Sequence, residues 1–356
     1  MKRIFNTSFI VALVALSTSS FAGNKDRAGQ AGASQLLINP WARSSGWAGA
    51  NSASVTGLEA TYTNIAGLAF TPKTEIMFAN TSWFAGSGIN IQSFGLSQRV
   101  GETGVLGLSV QNMNFGDIDI TTEDLPEGGI GTFAPKLTTI NLGFAKEFSN
   151  SIYGGIGMKV ISEGISNAKA SGIAFDMGVR YVTGEKDQVK FGIALKNVGP
   201  KMNYAGDGFS YTTTIDEEEF TVEWRTEAYE LPALLNIGGS YDYYLGESVD
   251  SVSGEVKSMH RITAAGNFTS NSFGKDQIRF GLEYGFRQLV MFRAGYLYEE
   301  GIFSLDTRTT FNAGPTAGLT FQVPLNKNGS TLDIDYAYRL TNPMGGNHSV
   351  GIRVNL

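Results

Sequence analysis

From residue 74 onward, apolar and polar side chains alternate with a period of two in segment after segment, the pattern of strands with one apolar face. Ile173, Phe175, Met177, Val179 and Tyr181 alternate with Ala174, Asp176, Gly178, Arg180 and Val182. Ile278, Phe280, Leu282, Tyr284 and Phe286 alternate with Arg279, Gly281, Glu283, Gly285 and Arg287. Leu332, Ile334, Tyr336, Tyr338 and Leu340 alternate with Asp333, Asp335, Ala337 and Arg339; Val350, Ile352, Val354 and Leu356 alternate with Ser349, Gly351, Arg353 and Asn355. Fainter versions run over 76–84, 89–99, 104–114, 137–148, 152–162, 189–198, 234–245, 259–269, 289–298 and 315–324, so the pattern predicts 14 strands.

Alternation alone does not separate a soluble sandwich, whose apolar face points to a core, from a membrane barrel, whose apolar face points to lipid. Connection lengths do. If the first strand starts from the periplasm, the outer connections include the long segments 115–135, 199–232 and 299–314, while most inner ones are short turns. That asymmetry is the one membrane barrels show. The three long segments carry net charges of -5, -6 and -2, more negative together than the whole exported chain. The last strand runs to the final residue with apolar side chains at alternate positions, and an open edge in lipid would leave backbone groups unpaired, so it is expected to close on the first. The fold class expected is therefore all-β: a 14-stranded antiparallel transmembrane β-barrel.

Two segments precede it. Residues 1–22 open with Lys2 and Arg3, continue through an apolar stretch and end Ser20-Phe21-Ala22, which reads as a cleavable signal peptide and an address in the outer membrane. Residues 23–72 are rich in Gly, Ala, Ser and Asn with Trp41 and Trp47, and carry no strand period. They are expected to form a hatch inside the barrel of residues 73–356, with the two tryptophans as buried anchors.

Composition narrows the chemistry. The chain has no Cys and 2 His, which excludes disulfides, thiol nucleophiles and Cys-ligated metals, so no cofactor or metal is expected. A net charge of -6 excludes a general nucleic-acid binder. Gly, at 45 of 356 residues, is spread along the chain rather than gathered in linkers. Asn347-His348-Ser349 is the one candidate catalytic constellation, but His348 shares parity with outward Val350; His260 has no adjacent acid, and no enzyme is expected. The acidic runs Asp117-Ile118-Asp119 and Asp216 to Glu219 lack a spaced calcium-loop pattern and read as solvated loops.

Strand parity turns Asp176, Arg180, Arg279, Glu283, Arg287, Asp333, Asp335, Arg339 and Arg353 toward the lumen, where they are expected to interlock as ion pairs. The longest outer segment offers Tyr204, Phe209, Tyr211, Phe220, Trp224 and Tyr229 beside eight acidic residues, a candidate partner loop, with 209–214 and 220–225 expected to stand as a hairpin.

Thr63-Asn64-Ile65-Ala66-Gly67-Leu68-Ala69 resembles the N-P-A-G-L hatch motif of FadL-type outer-membrane barrels, which marks Asn64, Gly67 and Leu68 as hatch residues. Ile65 stands where that motif has Pro, so the rigid turn a Pro imposes is missing. The wider text from Trp41 to Ala69, with Phe175 to Tyr181 and Ala194 to Pro200, is similar to the PorV/PorQ family of Bacteroidetes. The resemblance implies a FadL-like 14-stranded barrel. It also implies a role in type IX protein secretion, binding or escorting secreted cargo or surface-attachment proteins, with outer-membrane lipid as its surroundings. The alternatives are a FadL-like transporter of hydrophobic small molecules and a structural barrel that organises a surface or gliding-motility complex.

Overall fold

The computed structural model describes residues 23–249, 256–326 and 329–356. The signal segment lies outside them. The barrel strands are β1 (Thr74–Trp83), β2 (Ile89–Val100), β3 (Gly104–Asn114), β4 (Lys136–Ser149), β5 (Ile152–Ile165), β6 (Ala168–Thr183) and β7 (Val189–Val198). They continue as β8 (Leu234–Val249), β9 (Val256–Asn271), β10 (Gln277–Phe286), β11 (Val290–Glu299), β12 (Asn312–Pro324), β13 (Thr331–Thr341) and β14 (Asn347–Asn355). Each pairs antiparallel with its neighbours in sequence. The ring closes where β1 pairs with β14, from Glu75 opposite Asn355 to Ser82 opposite His348. The 14 observed strands follow the 14 expected segments in order. β6, β8 and β9 reach 16 residues each, longer than the alternation marks. Their extensions, such as Lys169-Ala170-Ser171-Gly172 and Gly246-Glu247-Ser248, lack the large apolar side chains from which the period is read.

The apolar face points outward around the ring. On β10, Phe280 and Leu282 are 58% and 52% exposed while Glu283, between Leu282 and Tyr284, is 4% exposed. Such a surface is stable only against lipid, since a soluble monomer does not present apolar area on this scale. Three small pairings lie outside the ring, all in the long connections: Tyr204–Ala205 on the end of β6, a hairpin of Ser210–Ile215 with Glu218–Glu223, and Ile118–Asp119 with Thr132–Phe133.

Residues 23–72 thread the bore from the long-loop end to the short-turn end. Asn24 N–H donates to Asn271 O at 3.3 Å, and Ala31 bridges Glu230 in a long loop. Further in, Ile38 packs with Trp83, Ile91 and Met113; Trp41 with Leu58, Tyr62, Met77 and Ala79; and Trp47 with Ala50 and Ala265. The exit is clasped by Arg99 at the end of β2, which donates to the carbonyls of Ala69, Thr71 and Pro72. The only α-helix among the described residues, α1 (Ala42–Gly46), sits in mid-bore.

The scattered glycines have a purpose here. A Cβ on Gly95 would lie 2.6 Å from Leu58 Cδ2, on Gly143 2.7 Å from Ile65 Cδ1, and on Gly281 2.6 Å from the Trp47 ring. All three face inward on the wall. Bare backbone at these positions lets the hatch approach closely enough to pack as a core.

Candidate functional site: a hatch-floored cavity at the long-loop mouth

Asn64 holds the last hatch turn in place. Its Oδ1 caps Ile65–Phe70 by accepting from Ala66 N–H at 3.2 Å, and its Nδ2 donates to Ser52 O at 3.0 Å and to Val179 O at 3.2 Å on the wall. Asn thus anchors the turn that Pro would stiffen in the FadL-type motif. Gly67 is packed so tightly that a Cβ would lie 2.9 Å from that of Ala60, and Leu68 is fully buried.

Buried charges tie hatch to wall. Arg353 donates to Glu59 Oε2 at 2.7 Å, and Glu59 Oε1 accepts from Ser44 N–H at 2.5 Å. Glu75 accepts from Leu58 N–H at 2.7 Å. Arg43, on α1, bridges Asp333 at 3.0 Å and Asp335 at 3.3 Å. Thr320 links Asp335 to Arg293, and Glu283 takes both Arg293 and Arg261 at 2.5 Å. Nearby, Lys159 pairs with Asp176 at 2.6 Å, and Arg180 donates to Val55 O at 2.6 Å while lying 4.0 Å over the Phe70 ring.

The expected lumen set is therefore only partly brought together. Asp176, Arg180, Glu283, Asp333, Asp335 and Arg353 are buried in the bore. Their partners, however, come mainly from the hatch or from residues that strand parity did not single out: Arg43, Glu59, Lys159, Arg261 and Arg293. Arg293 and Lys159 share inward parity on their strands, a signal the sequence does hold; Arg43 lies in a segment with no period. Arg287 is a correction: it sits exposed in the turn after β10 with φ 50°, because the tight reversal ends the alternation one residue early. Arg279 and Arg339 are inward but form no ion pair among the described residues. Arg279 donates to Gln277 Oε1 at 2.7 Å and Arg339 to Ser45 Oγ at 2.9 Å.

Above α1 a cavity of about 420 Å³ opens at the long-loop end, walled by Leu37, Ile38, Trp83, Phe84, Met113, Phe115, Leu137, Phe273 and Phe311. Its floor includes Arg279 and Arg339. These two, with Leu37, Leu234 and Asn312, also line an adjoining smaller space of about 70 Å³, which adds Tyr62 and Lys196. On the other side of the hatch, a polar vestibule of about 340 Å³ faces the short-turn end, lined by Arg43, Glu59, Asp242, Arg261 and Glu283 among others.

The aromatics of the longest loop divide into two groups. Tyr211, Phe220 and Trp224 are exposed, at 46%, 44% and 67%, on the hairpin, which closes slightly tighter than the expected 209–225 span. Phe209 is half-buried at its base. Tyr204 and Tyr229 instead turn inward and donate to Glu163 at 2.6 and 2.9 Å, because their loop segments pair along the wall rather than stand free. Burial first, and then the bond to Glu163, push both phenols above their ordinary pKa. His260 and His348 each meet a lipid-facing tyrosine, at 2.7 Å from Tyr284 Oη and 2.8 Å from Tyr336 Oη.

No family model matches the chain, and no curated protein matches its sequence. Among solved structures, the toluene transporter TodX of Pseudomonas putida is similar over 85% of this chain and 94% of its own length, with 11% identity and a TM-score of 0.51. A FadL homologue of Pseudomonas aeruginosa is similar over 88% and 96%, with 10% identity and a TM-score of 0.50. At that identity the likeness speaks to the fold, and the fold is a closed 14-stranded antiparallel barrel of the FadL kind.

Proposed function

We propose that this chain is an outer-membrane channel that admits hydrophobic small molecules from outside the cell. The observation that carries the reading is the cavity at the long-loop mouth, walled by aromatic and aliphatic side chains with Arg279, Arg339 and Asn312 among its polar groups, and floored by a packed hatch. Concave apolar sites with a few placed polar groups are where small ligands bind. Two of the solved structures that share this architecture are a toluene transporter and a FadL homologue, which supports the same class of solute. In this reading residues 1–22 are removed on export, 23–72 form the hatch, and 73–356 form the barrel in the outer membrane.

A second reading follows the PorV/PorQ resemblance: a non-enzymatic barrel that holds a cargo or attachment protein of the type IX system. It is supported by the hairpin, whose Tyr211, Phe220 and Trp224 lie exposed beside Glu218, Glu219 and Glu223. Aromatics with a charged rim are what protein interfaces use as anchors.

Uptake of radiolabelled toluene by intact cells, with and without the protein, separates the two. Channel function predicts a several-fold faster uptake that Met113→Arg, in the cavity wall, abolishes and that replacing 205–228 by a Gly-Ser linker leaves intact. Equal uptake with and without the protein, together with loss of a bound protein partner on the loop replacement, would reverse the ranking.

A further inference from the structure

We infer that the outward face of β3 to β6 holds one phosphorylated glycolipid of the outer leaflet, its phosphate on Lys136 and Lys169 and its acyl chains in an apolar groove beneath them. The inference rests on the barrel's seat in the outer membrane, with the long loops outside, and on neither reading of its function.

Strand register builds this face in level rows. The row nearest the long loops is Asn114, Lys136, Gly164 and Lys169, paired in turn across the four strands. Next come Asn112, Thr138, Ser162 and Ser171, and then Val110, Ile140, Val160 and Ile173. Paired residues share a face, and the four apolar residues of the third row are exposed, so all three rows look outward. Going toward the loops, the surface therefore passes from apolar to hydroxyl and amide and then to cationic. Among the described strand residues, Lys136 and Lys169 are the only charged side chains that face outward at the long-loop end.

One strand separates the two lysines, which sets their backbones about 10 Å apart. Between them a Cβ on Gly164 would meet nothing within 4 Å, so the gap is open down to the backbone. No carboxylate shares these rows. Glu163, beside Gly164 in the chain, faces the bore and accepts from Gln35, Tyr204 and Tyr229. Two like charges flanking an open gap at a membrane surface attract an anionic head. The amides and hydroxyls around and beneath them suit a sugar, and a row of four strands is about 15 Å wide, broader than the head of a two-chain phospholipid.

A groove of about 650 Å³ lies on the same strands, with Leu108, Leu142, Met158 and Phe175 as one further level row of its lining. Lys136 to Leu142 spans about 20 Å of strand, or about 15 Å of depth at the usual barrel tilt. One leaflet's hydrocarbon is about 15 Å deep. Acyl chains hung from a head at the lysines therefore end in the groove.

The test titrates the full exported chain, in non-ionic detergent, with lipid A, phosphatidylglycerol or phosphatidylcholine, and native mass spectrometry counts the lipids bound. One lipid A per barrel is expected, held at least tenfold more tightly than either phospholipid. Lys136→Gln with Lys169→Gln should weaken lipid A binding at least tenfold, whereas Lys146→Gln, which removes an exposed lysine from the short-turn end of β4, should leave it unchanged. Gly164→Leu fills the gap and Leu142→Trp fills the groove, and each should weaken binding several-fold with both charges in place. Heat-modifiable migration confirms that each variant is folded. Phosphatidylglycerol held as tightly as lipid A makes a phospholipid the occupant and overturns the glycolipid. Lipid A binding indifferent to the lysine pair, or weakened equally by Lys146→Gln, overturns the site, and full binding by Leu142→Trp overturns the groove as the seat of the chains.

Discussion

If wall glycines exist to seat the hatch, then adding one methyl group at the right glycine should loosen the hatch without touching the barrel's own strands. Gly178 on β6 is the sharpest case. A Cβ there would overlap Asn64 Oδ1 and lie 3.2 Å from Ile65 Cγ2 and 3.3 Å from the Ala66 nitrogen. Asn64 cannot swing aside freely, because it caps Ala66 and bonds Ser52 and Val179. Gly178→Ala therefore forfeits a cap worth about 1 kcal/mol and two hydrogen bonds worth about 1 kcal/mol each, a total of about 3 kcal/mol. Since each 1.4 kcal/mol is tenfold, the hatch should detach about 10²-fold more often. The chain has no Cys, so a single engineered thiol reports this cleanly. Ser54→Cys is suitable, because the Ser54 hydroxyl is buried and has no hydrogen-bond partner among the described residues. The rate at which maleimide labels that introduced thiol should rise by about the same factor when Gly178→Ala is added. Gly266→Ala is the control, because a Cβ there meets only Arg279 O at 4.0 Å. Labelling within about threefold of the parent in Gly178→Ala, or an equal rise in the control, would refute the claim that the glycines seat the hatch.

The remaining expectations concern the charges. Glu59→Gln leaves Arg353 buried without its carboxylate and should cost about 3–5 kcal/mol, read as a lower unfolding temperature in heat-modifiable gel migration. Arg293→Gln should be similarly harmful, whereas Arg287→Ala should leave the unfolding temperature unchanged because that side chain is exposed in a turn. The hydrogen bond from Arg27 holds the Glu230 carboxyl below its ordinary pKa, so the tie between the N-terminal segment and the loop is complete above about pH 4.3 and is lost as pH falls through the depressed value. Amide-exchange protection factors at residues 24–32, corrected for the intrinsic rate at each pH, should fall below that pH and stay level through the neutral range. Planar bilayers holding the intact barrel should show no large, steady conductance, and Arg43→Gln should produce openings, since it removes the pairings of α1 with Asp333 and Asp335.

Strand number, order and facing were legible because each outward residue must meet lipid, and that demand repeats with a fixed period. Phe175, Met177 and Val179 reveal β6 for this reason, and Val350, Ile352 and Val354 reveal β14. The hatch could be placed but not drawn. Its path is set by close approach to wall glycines, and a glycine in a sequence does not say which side chain will lie over it: Gly281 under Trp47 and Gly143 under Ile65 are facts of three-dimensional packing. The same gap explains the lumen charges. Parity placed Asp333 and Asp335 inward, yet their partner Arg43 belongs to a segment with no period at all. Arg279 and Arg339 read as further members of an interlocking set, and nothing in strand parity distinguishes a cation with a carboxylate opposite from one facing an empty space.

That difference decides how the bore is divided. Arg43 lines the vestibule and Ser44, its neighbour on α1, lines the enclosed floor space, so the partition between the two ends is a single helix thick. On the vestibule side Arg43, Arg261 and Arg353 are paired with carboxylates; on the mouth side Arg279 and Arg339 have none among the described residues. Opening a path from one end to the other requires displacing α1. Displacement breaks the Arg43 pairs with Asp333 and Asp335 and exposes the Glu59 contact to Ser44. Since removing one partner of a buried pair typically costs about 3–5 kcal/mol, the bore stays shut unless something else stabilises the moved state.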